Sequence, residues 1–226
     1  MRIDRRIVFA GLRNAVFGGR LSQGQVEGVE AVLTRFSARG WADPRWLAYM
    51  LATAHHETGG TMQAVRETFA GTDEEAVSRL ERAWRAGKLP TVRTPYWRRD
   101  EAGRSYYGRG LVQITHRENY QKMSRVTGLD LVADPDLALR LDVATTILVV
   151  GMTEGLFSGA RLSDHFSGAK ADWTMPNFVD EAVAAGEAAG VFDYASKPFV
   201  VAHSFGSLPA PEEHFGEGTS RFALTV

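Results

Sequence analysis

No cysteine occurs among the 226 residues. That excludes a disulfide framework and any thiolate metal site, and it suits a reducing, cytoplasmic setting. Long apolar runs are also missing. None approaches the ~18 residues of a membrane-spanning helix, so no membrane insertion is expected. The N-terminus, M-R-I-D-R-R-I-V-F-A-G-L-R, lacks the apolar stretch and small-residue cleavage site of a signal peptide. Neither sign of charge dominates: the formal net charge is −1, which argues against a dedicated nucleic-acid binder. There is no G-x-x-x-x-G-K and no G-x-G-x-x-G, and Gly108-Arg109-Gly110 alone is a weak phosphate-loop signal. His55 and His56 are adjacent, and H-H-E lacks the second histidine of H-E-x-x-H. No metal and no cofactor are therefore expected. No internal repeat is found. What is present is a hydrophobic content of 44%, enough for a real core, in a length that suits one domain of ordinary size or a domain with an appendage.

Apolar periodicity and cap residues predict a mostly helical chain. Residues 5–17 form a short amphipathic helix closed by Gly18 and Gly19. Ser22 caps a second helix to about Arg39. Asp43 caps a third, with Pro44 in its first turn, ending at Glu57. Thr72 or Asp73 caps a helix over 72–86, closed by Gly87. Residues 88–103 have no helical period and read as a loop or short hairpin. Residues 116–126 return to helix, Asp134–Pro135 is a turn, and a strongly apolar helix runs from about Leu137 to Glu154, capped by Gly155. Its apolar character makes it the central buried helix. Residues 161–166 are a short helix or turn. Residues 180–195 suit one more helix, and beyond Pro198 a loosely packed tail is expected. The domain expectation is residues 1–171, with 172–226 a C-terminal segment of the same domain.

The third helix organises the rest. Trp46, Met50 and Ala54 share a stripe with Leu47 and Leu51 beside it, and Glu57 continues that stripe. A glutamate at the end of an apolar stripe is desolvated, which raises its pKa and suits a general acid. Gly59 and Gly60 stop the helix and leave Glu57 at the rim of the core. Glu67 lies ten residues on, expected in a wetter place. Two acids in different environments are the raw material of glycoside hydrolysis, although a glutamate at a helix end is usually solvated and two acids ten apart mean little by spacing alone.

From Ser105 to Tyr120, S-Y-Y-G-R-G-L-V-Q-I-T-H-R-E-N-Y, alternation puts Gln113 and Thr115 on one face of an extended run with Tyr106 and Tyr107 alongside. That face is a hydrogen-bonding and stacking floor for a sugar, or a buried hairpin whose polar groups satisfy backbone. From Arg79 to Arg109 there are nine Lys/Arg against three Asp/Glu. Such a run is either a solvated surface or an attractor for an anionic polymer, with balancing acids mainly in the C-terminal quarter.

Together A-H-H-E-T-G-G (54–60), V-R-E (65–67) and Y-Y-G-R-G-L-V-Q-I-T-H-R-E-N-Y (106–120) resemble the family 19 glycoside hydrolases, the class I and II chitinases and related endolysins. D-P-R-W-L-A-Y-M-L-A-T-A-H-H-E and A-W-R-A-G-K-L-P look most like the phage and bacterial branch, and the likeness covers roughly residues 5–170. It implies a mainly α, lysozyme-like two-lobed domain with a small β-hairpin region lining the cleft. It implies inverting hydrolysis of β-1,4 bonds between N-acetylated sugars. Glu57 matches the general acid, Glu67 the general base and Thr115 the hydroxyl that holds the attacking water. Tyr106, Gln113 and Asn119 match cleft residues, with Tyr107 and Arg109 beside them. His56 matches the histidine before the acid, or simply packs at the lobe junction. The implied partner is a polysaccharide, peptidoglycan ahead of chitin, bound by a monomer that stays cytoplasmic until release to the bacterial cell wall.

One stretch departs from the family. Where members carry A-R-R-I-[IV]-N-G, this chain reads D-W-T-M-P-N-F-V-D-E-A-V-A-A-G, with no arginine between Arg161 and Arg221. Arg66 or Arg109 is the expected replacement beside Glu57, and Asn177 the nearest asparagine. The departure keeps open a sugar-binding pseudoenzyme, and a wall-penetrating component of a phage particle is the third class.

Overall fold

The structure is a computed structural model that describes residues 3–41 and 43–172. The expectations for Asn177, the 180–195 helix, the tail and the C-terminal segment beyond Asp172 lie outside the described residues. Within them the fold is mainly α. Its helices are α1 (Arg5–Ala15), α2 (Gln23–Ala38), α3 (Pro44–Glu57), α4 (Asp73–Arg85), α5 (Arg117–Thr127), α6 (Leu141–Glu154) and α7 (Leu162–His165). Two antiparallel ribbons accompany them: β1 (Val65–Arg66) with β2 (Arg109–Gly110), and β3 (Phe166–Ser167) with β4 (Lys170–Ala171).

Helix starts fall where short polar side chains can accept the first free N–H groups. Asp4, Ser22, Asp43 and Thr72 each do so. Gly128 and Gly155 close α5 and α6 in the left-handed conformation.

Two apolar clusters form the two lobes. The larger is centred on α6, whose Val143, Ala144, Ile147, Leu148 and Val149 are buried, and which packs against α2, α3 and α5. Each fully buried Val, Leu, Ile or Phe contributes about 1.5–3 kcal/mol. The smaller cluster gathers Ala76 and Leu80 of α4, Ala70 before it, Trp97 of the following loop and Tyr107 just before β2. That loop has no strand among residues 88–104. It is fastened by side chains: Trp84 Nε1 donates to Val92 O at 3.2 Å and Trp97 Nε1 to Glu81 Oε2 at 3.0 Å.

Three local expectations are corrected. The helix expected from Leu137 begins at Leu141: a separate 3-10 turn occupies Pro135–Leu139, and extended Arg140 divides the two. The ribbon beside Glu67 is not a hairpin, whereas β3 and β4 form one. β1 and β2 are distant in sequence, pairing Val65 with Gly110 and Arg66 with Arg109. The extended run at 111–115 is a tight turn that brings Ile114 back against Arg109. Leu111, Val112 and Ile114 are all buried within it, so the apolar alternation came from a turn enclosed on both sides rather than from a strand.

α2 fixes the turn that follows Glu57. Gln25 Nε2 donates to Gly60 O at 2.9 Å, and Gln63 Nε2 to Gly24 O at 2.6 Å. Between them Gly28 lets α2 approach the Met62 backbone so closely that a Cβ would collide with the Met62 carbonyl. Gly→Ala inside a helix normally gains close to 1 kcal/mol. Here the collision is with backbone and cannot be relieved by a rotamer, so Gly28→Ala is expected to destabilise by about 2–3 kcal/mol. A thermal melt checks it: the midpoint should fall by about 5–10 °C, and an unchanged or raised midpoint would show that the two segments can separate freely.

Candidate active site

Glu57 is the last residue of α3 and continues its buried face, which includes Met50 and Ala54. It is 3% exposed. Beyond it Thr58 Oγ1 donates to Ala54 O at 2.7 Å and accepts from Met62 N at 2.9 Å, while Gly60 N reaches back to His55 O at 2.7 Å. The chain thus leaves the helix without uncovering the carboxyl. Burial first, and then the negative charge of Glu67, push the Glu57 carboxyl up to about 8. Its Oε2 is buried with no hydrogen-bond partner among the described residues.

Glu67 begins a 3-10 turn directly after β1. It was expected in a wetter place; at 2% exposed it is as buried as Glu57. What separates the two acids is donors, not water. Tyr96 Oη donates to Glu67 Oε1 at 2.8 Å, and Gly108 N donates to Oε2 at 2.7 Å. The backbone repeats the link, with Glu67 N donating to Gly108 O at 2.7 Å. Gly108 must be glycine for this approach. A Cβ there would stand 2.8 Å from Gln113 Oε1 and 3.2 Å from Glu67 Oε2.

Gln113 therefore does share the Glu67 neighbourhood, although not on an extended face with Thr115. Its φ is +50°, and its amide nitrogen donates to Val65 O at 3.1 Å and Gly110 O at 3.0 Å, locking the turn onto β1. Thr115 is buried, and its Oγ1 has no hydrogen-bond partner among the described residues. Asn119 is half-buried and donates from Nδ2 to Thr115 O at 2.9 Å. His56 is half-buried beside Glu57 on α3. Positive φ values at non-glycine residues gather here: Thr68, Phe69, Gln113 and His116 lie within two residues of Glu67 or Thr115, or flank them directly. Such conformations cost about 1–3 kcal/mol each and persist where surrounding contacts overdetermine them.

Three residues expected to line the cleft are buried and engaged by other protein groups. Tyr107 is fully buried, with its hydroxyl on Asp73. Tyr106 is buried, with its hydroxyl on Asp100 and the Val132 carbonyl. Arg109 is 1% exposed and donates to Asp73, Asp136, Ser105 O and Tyr120 Oη. Arg66 pairs with the same two aspartates. Neither arginine is therefore the electrostatic partner expected for Glu57. Asp73 and Asp136 are the residues the sequence reading missed: Asp73 reads as a candidate helix cap, which hides its pairing with Arg66 and Arg109.

The basic run is also largely neutralised. Arg79, Arg85, Arg98, Arg99, Arg104 and Arg109 are all in ion pairs, with Glu75, Glu81, Glu74, Asp100, Asp73 and Asp136. Among the described residues the balancing acids come from α4, the loop and the 3-10 turn; the acids of the C-terminal quarter beyond Asp172 lie outside the described residues.

Residues 32–155, which contain both acids, Thr115 and the β1–β2 ribbon, match the family described as chitinase class I, glycoside hydrolase family 19. The chain belongs to that family. It is 34% identical over 90 residues to a basic endochitinase of Vitis vinifera, a match covering 40% of this chain and 27% of the relative. It is 32% identical over 90 residues to the acidic endochitinase Q of Nicotiana tabacum, covering 40% and 26%. A shorter match to chitinase 11 of Oryza sativa subsp. japonica is 59% identical over 32 residues, 14% of this chain and 12% of the relative. The matched part spans about a quarter of the length of the first two relatives.

Proposed function

We propose that this chain is a glycosidase that hydrolyses β-1,4 bonds between N-acetylated sugars with inversion. The observation that carries the reading is the contrast between two buried acids. Glu57 holds its proton up to about pH 8 and has an oxygen with no partner among the described residues, whereas both oxygens of Glu67 accept hydrogen bonds. Glu57 is the general acid: it gives its proton to the glycosidic oxygen, so the leaving sugar departs neutral. Glu67 is the general base: it takes a proton from a water that attacks the opposite face of the sugar ring. Thr115 Oγ1 helps to hold that water. Inverting hydrolysis places the two carboxyls ~6.5–9.5 Å apart to leave room for it. Water supplies the incoming oxygen, and the two carboxyls exchange protonation states before the next turnover.

Chitin is the first substrate to test, because the relatives are named as chitinases and endochitinases. Peptidoglycan, favoured on the sequence, contains the same linkage. Arg82, Lys88 and Arg93, the cations of the basic run outside the ion pairs above, are what would favour an anionic wall. The test is release of reducing ends from a chitin oligosaccharide and from purified peptidoglycan. Turnover of at least one by the wild type is expected. A folded wild type that binds the sugar and cleaves neither would turn the reading to the pseudoenzyme.

A further inference from the structure

We propose that Tyr96 is a positioning residue for Glu67, and that the loop over residues 88–104 exists in part to deliver its hydroxyl to that carboxylate. The inference rests on Glu67 being the base. Of the two donors described above, Gly108 N belongs to the backbone and is fixed by the β1–β2 ribbon. The phenol is the donor that depends on a side chain and on a distant segment.

The ring is held by its own chain neighbour, Trp97, and by one residue from a distant segment, His116. Trp97 stands edge-on to it, with centroids 5.0 Å apart and an interplanar angle of 80°. His116 packs against it at 4.8 Å and 49°. Trp97 is itself anchored to α4 through Glu81, and its carbonyl accepts from Ser105 Oγ. His116 is set by its own backbone, with φ +64° and its N–H on Tyr106 O at 2.9 Å. The smaller lobe and the segment entering α5 therefore meet on one ring, and that ring carries the donor to Glu67.

Burial first, and then the Glu67 charge, hold the phenol well above the usual tyrosine range, so it stays a donor wherever the carboxylate works. Among the described residues, the ionisable groups around Glu67 include Glu57 at the end of α3, Tyr120 on α5 and Tyr96 itself, with His116 behind Tyr96. On the α4 side Arg79 donates to Thr68 O at 2.7 Å. Arg66, preceding Glu67, is engaged by Asp73 and Asp136. A hydrogen bond to a carboxylate stabilises its charged form. With Gly108 N on the other oxygen, it also fixes the rotation of the carboxylate, and with it the direction of the lone pairs left to meet water.

Tyr96→Phe keeps the ring and removes the hydroxyl. It should melt close to the wild type. Near the optimum its kcat should fall about tenfold, and the acidic limb of its pH–rate profile should move up by about one pH unit, with KM little changed. The carboxyl ¹³C resonance of Glu67, followed by NMR without substrate, should titrate at correspondingly higher pH than in the wild type. A uniform loss of rate with the acidic limb and the Glu67 midpoint unmoved would overturn the proposal, since a merely structural tyrosine would do that. A Glu67→Gln variant with wild-type turnover would instead overturn the reading of Glu67 as base, and this inference with it, whatever the Tyr96→Phe resonance does.

Discussion

Glu57→Gln should abolish nearly all turnover and at the same time make the protein more stable. A positioned general acid contributes roughly 10²–10⁴ in rate, so kcat is expected to fall by about 10³. Glutamine is nearly the same shape but has no proton to give. The stability gain follows from burial. In the unfolded chain a glutamate ionises near its model value of 4.5, whereas in the fold Glu57 does so near about 8. Between those values the folded state binds more protons than the unfolded one, so stability falls as pH rises across the window. The neutral variant is spared that loss. The difference should vanish below about pH 4.5 and reach a few kcal/mol by pH 8, worth roughly 5–10 °C in the melting midpoint. The same ionisation should set the alkaline limb of activity, expected at about pH 8 in the wild type. Melting curves of both proteins at pH 4 and pH 8 check the linkage. Equal stability at pH 8 would mean that Glu57 is solvated, and the acid assignment would lose its basis.

The second large effect is expected at Arg109. Its guanidinium joins Asp73 at the start of α4, Asp136 in the 3-10 turn, the Ser105 carbonyl and the Tyr120 hydroxyl, and lies 3.7 Å from the centre of the Tyr107 ring. Arg66, its cross-strand neighbour, completes a group of two arginines and two aspartates that ties β1 and β2 to both lobes. Burial raises the Asp73 pKa, but Tyr107, Arg109 and Arg66 together outweigh it and hold the carboxyl below its usual range. Arg109→Ala leaves two acids to one arginine and strips a buried carbonyl of its donor. Breaking a buried pair in this way costs about 3–5 kcal/mol, so the melting midpoint should drop by about 10–15 °C. Arg109→Lys should recover only part, because an ammonium cannot reproduce the planar fork. A melting curve of Arg109→Ala within 2 °C of the wild type would show that the ribbon is held by other contacts.

The helices were legible because their signals are local. Ser22 with Gln25, Asp43 with Pro44, and Thr72 before an acidic turn mark starts that need no tertiary information. The burial of Glu57 was legible for the same reason, since it continues the apolar face of α3. The state of Glu67 was not. Its donors come from residues 96 and 108, and no local pattern around 67 announces them. Gln113 misled through periodicity: a turn enclosed on both sides buries Leu111, Val112 and Ile114 as thoroughly as a strand would. Arg109 misled through its motif. Its place in the glycine-flanked run suggested a sugar contact, whereas its charge is spent on Asp73 and Asp136. Tyr96 sits in an aperiodic, proline-containing loop, where only the fold reveals what it touches.

The most direct test of the two-carboxylate account is the anomer of the first product, read by ¹H NMR within minutes of adding the wild type to a chitin oligosaccharide. Single displacement by water at a β-linked sugar predicts a fresh reducing end in the α form, which then mutarotates toward equilibrium. A fresh β product would mean double displacement through a covalent intermediate, and would contradict the assignment of Glu67 as a base that activates water.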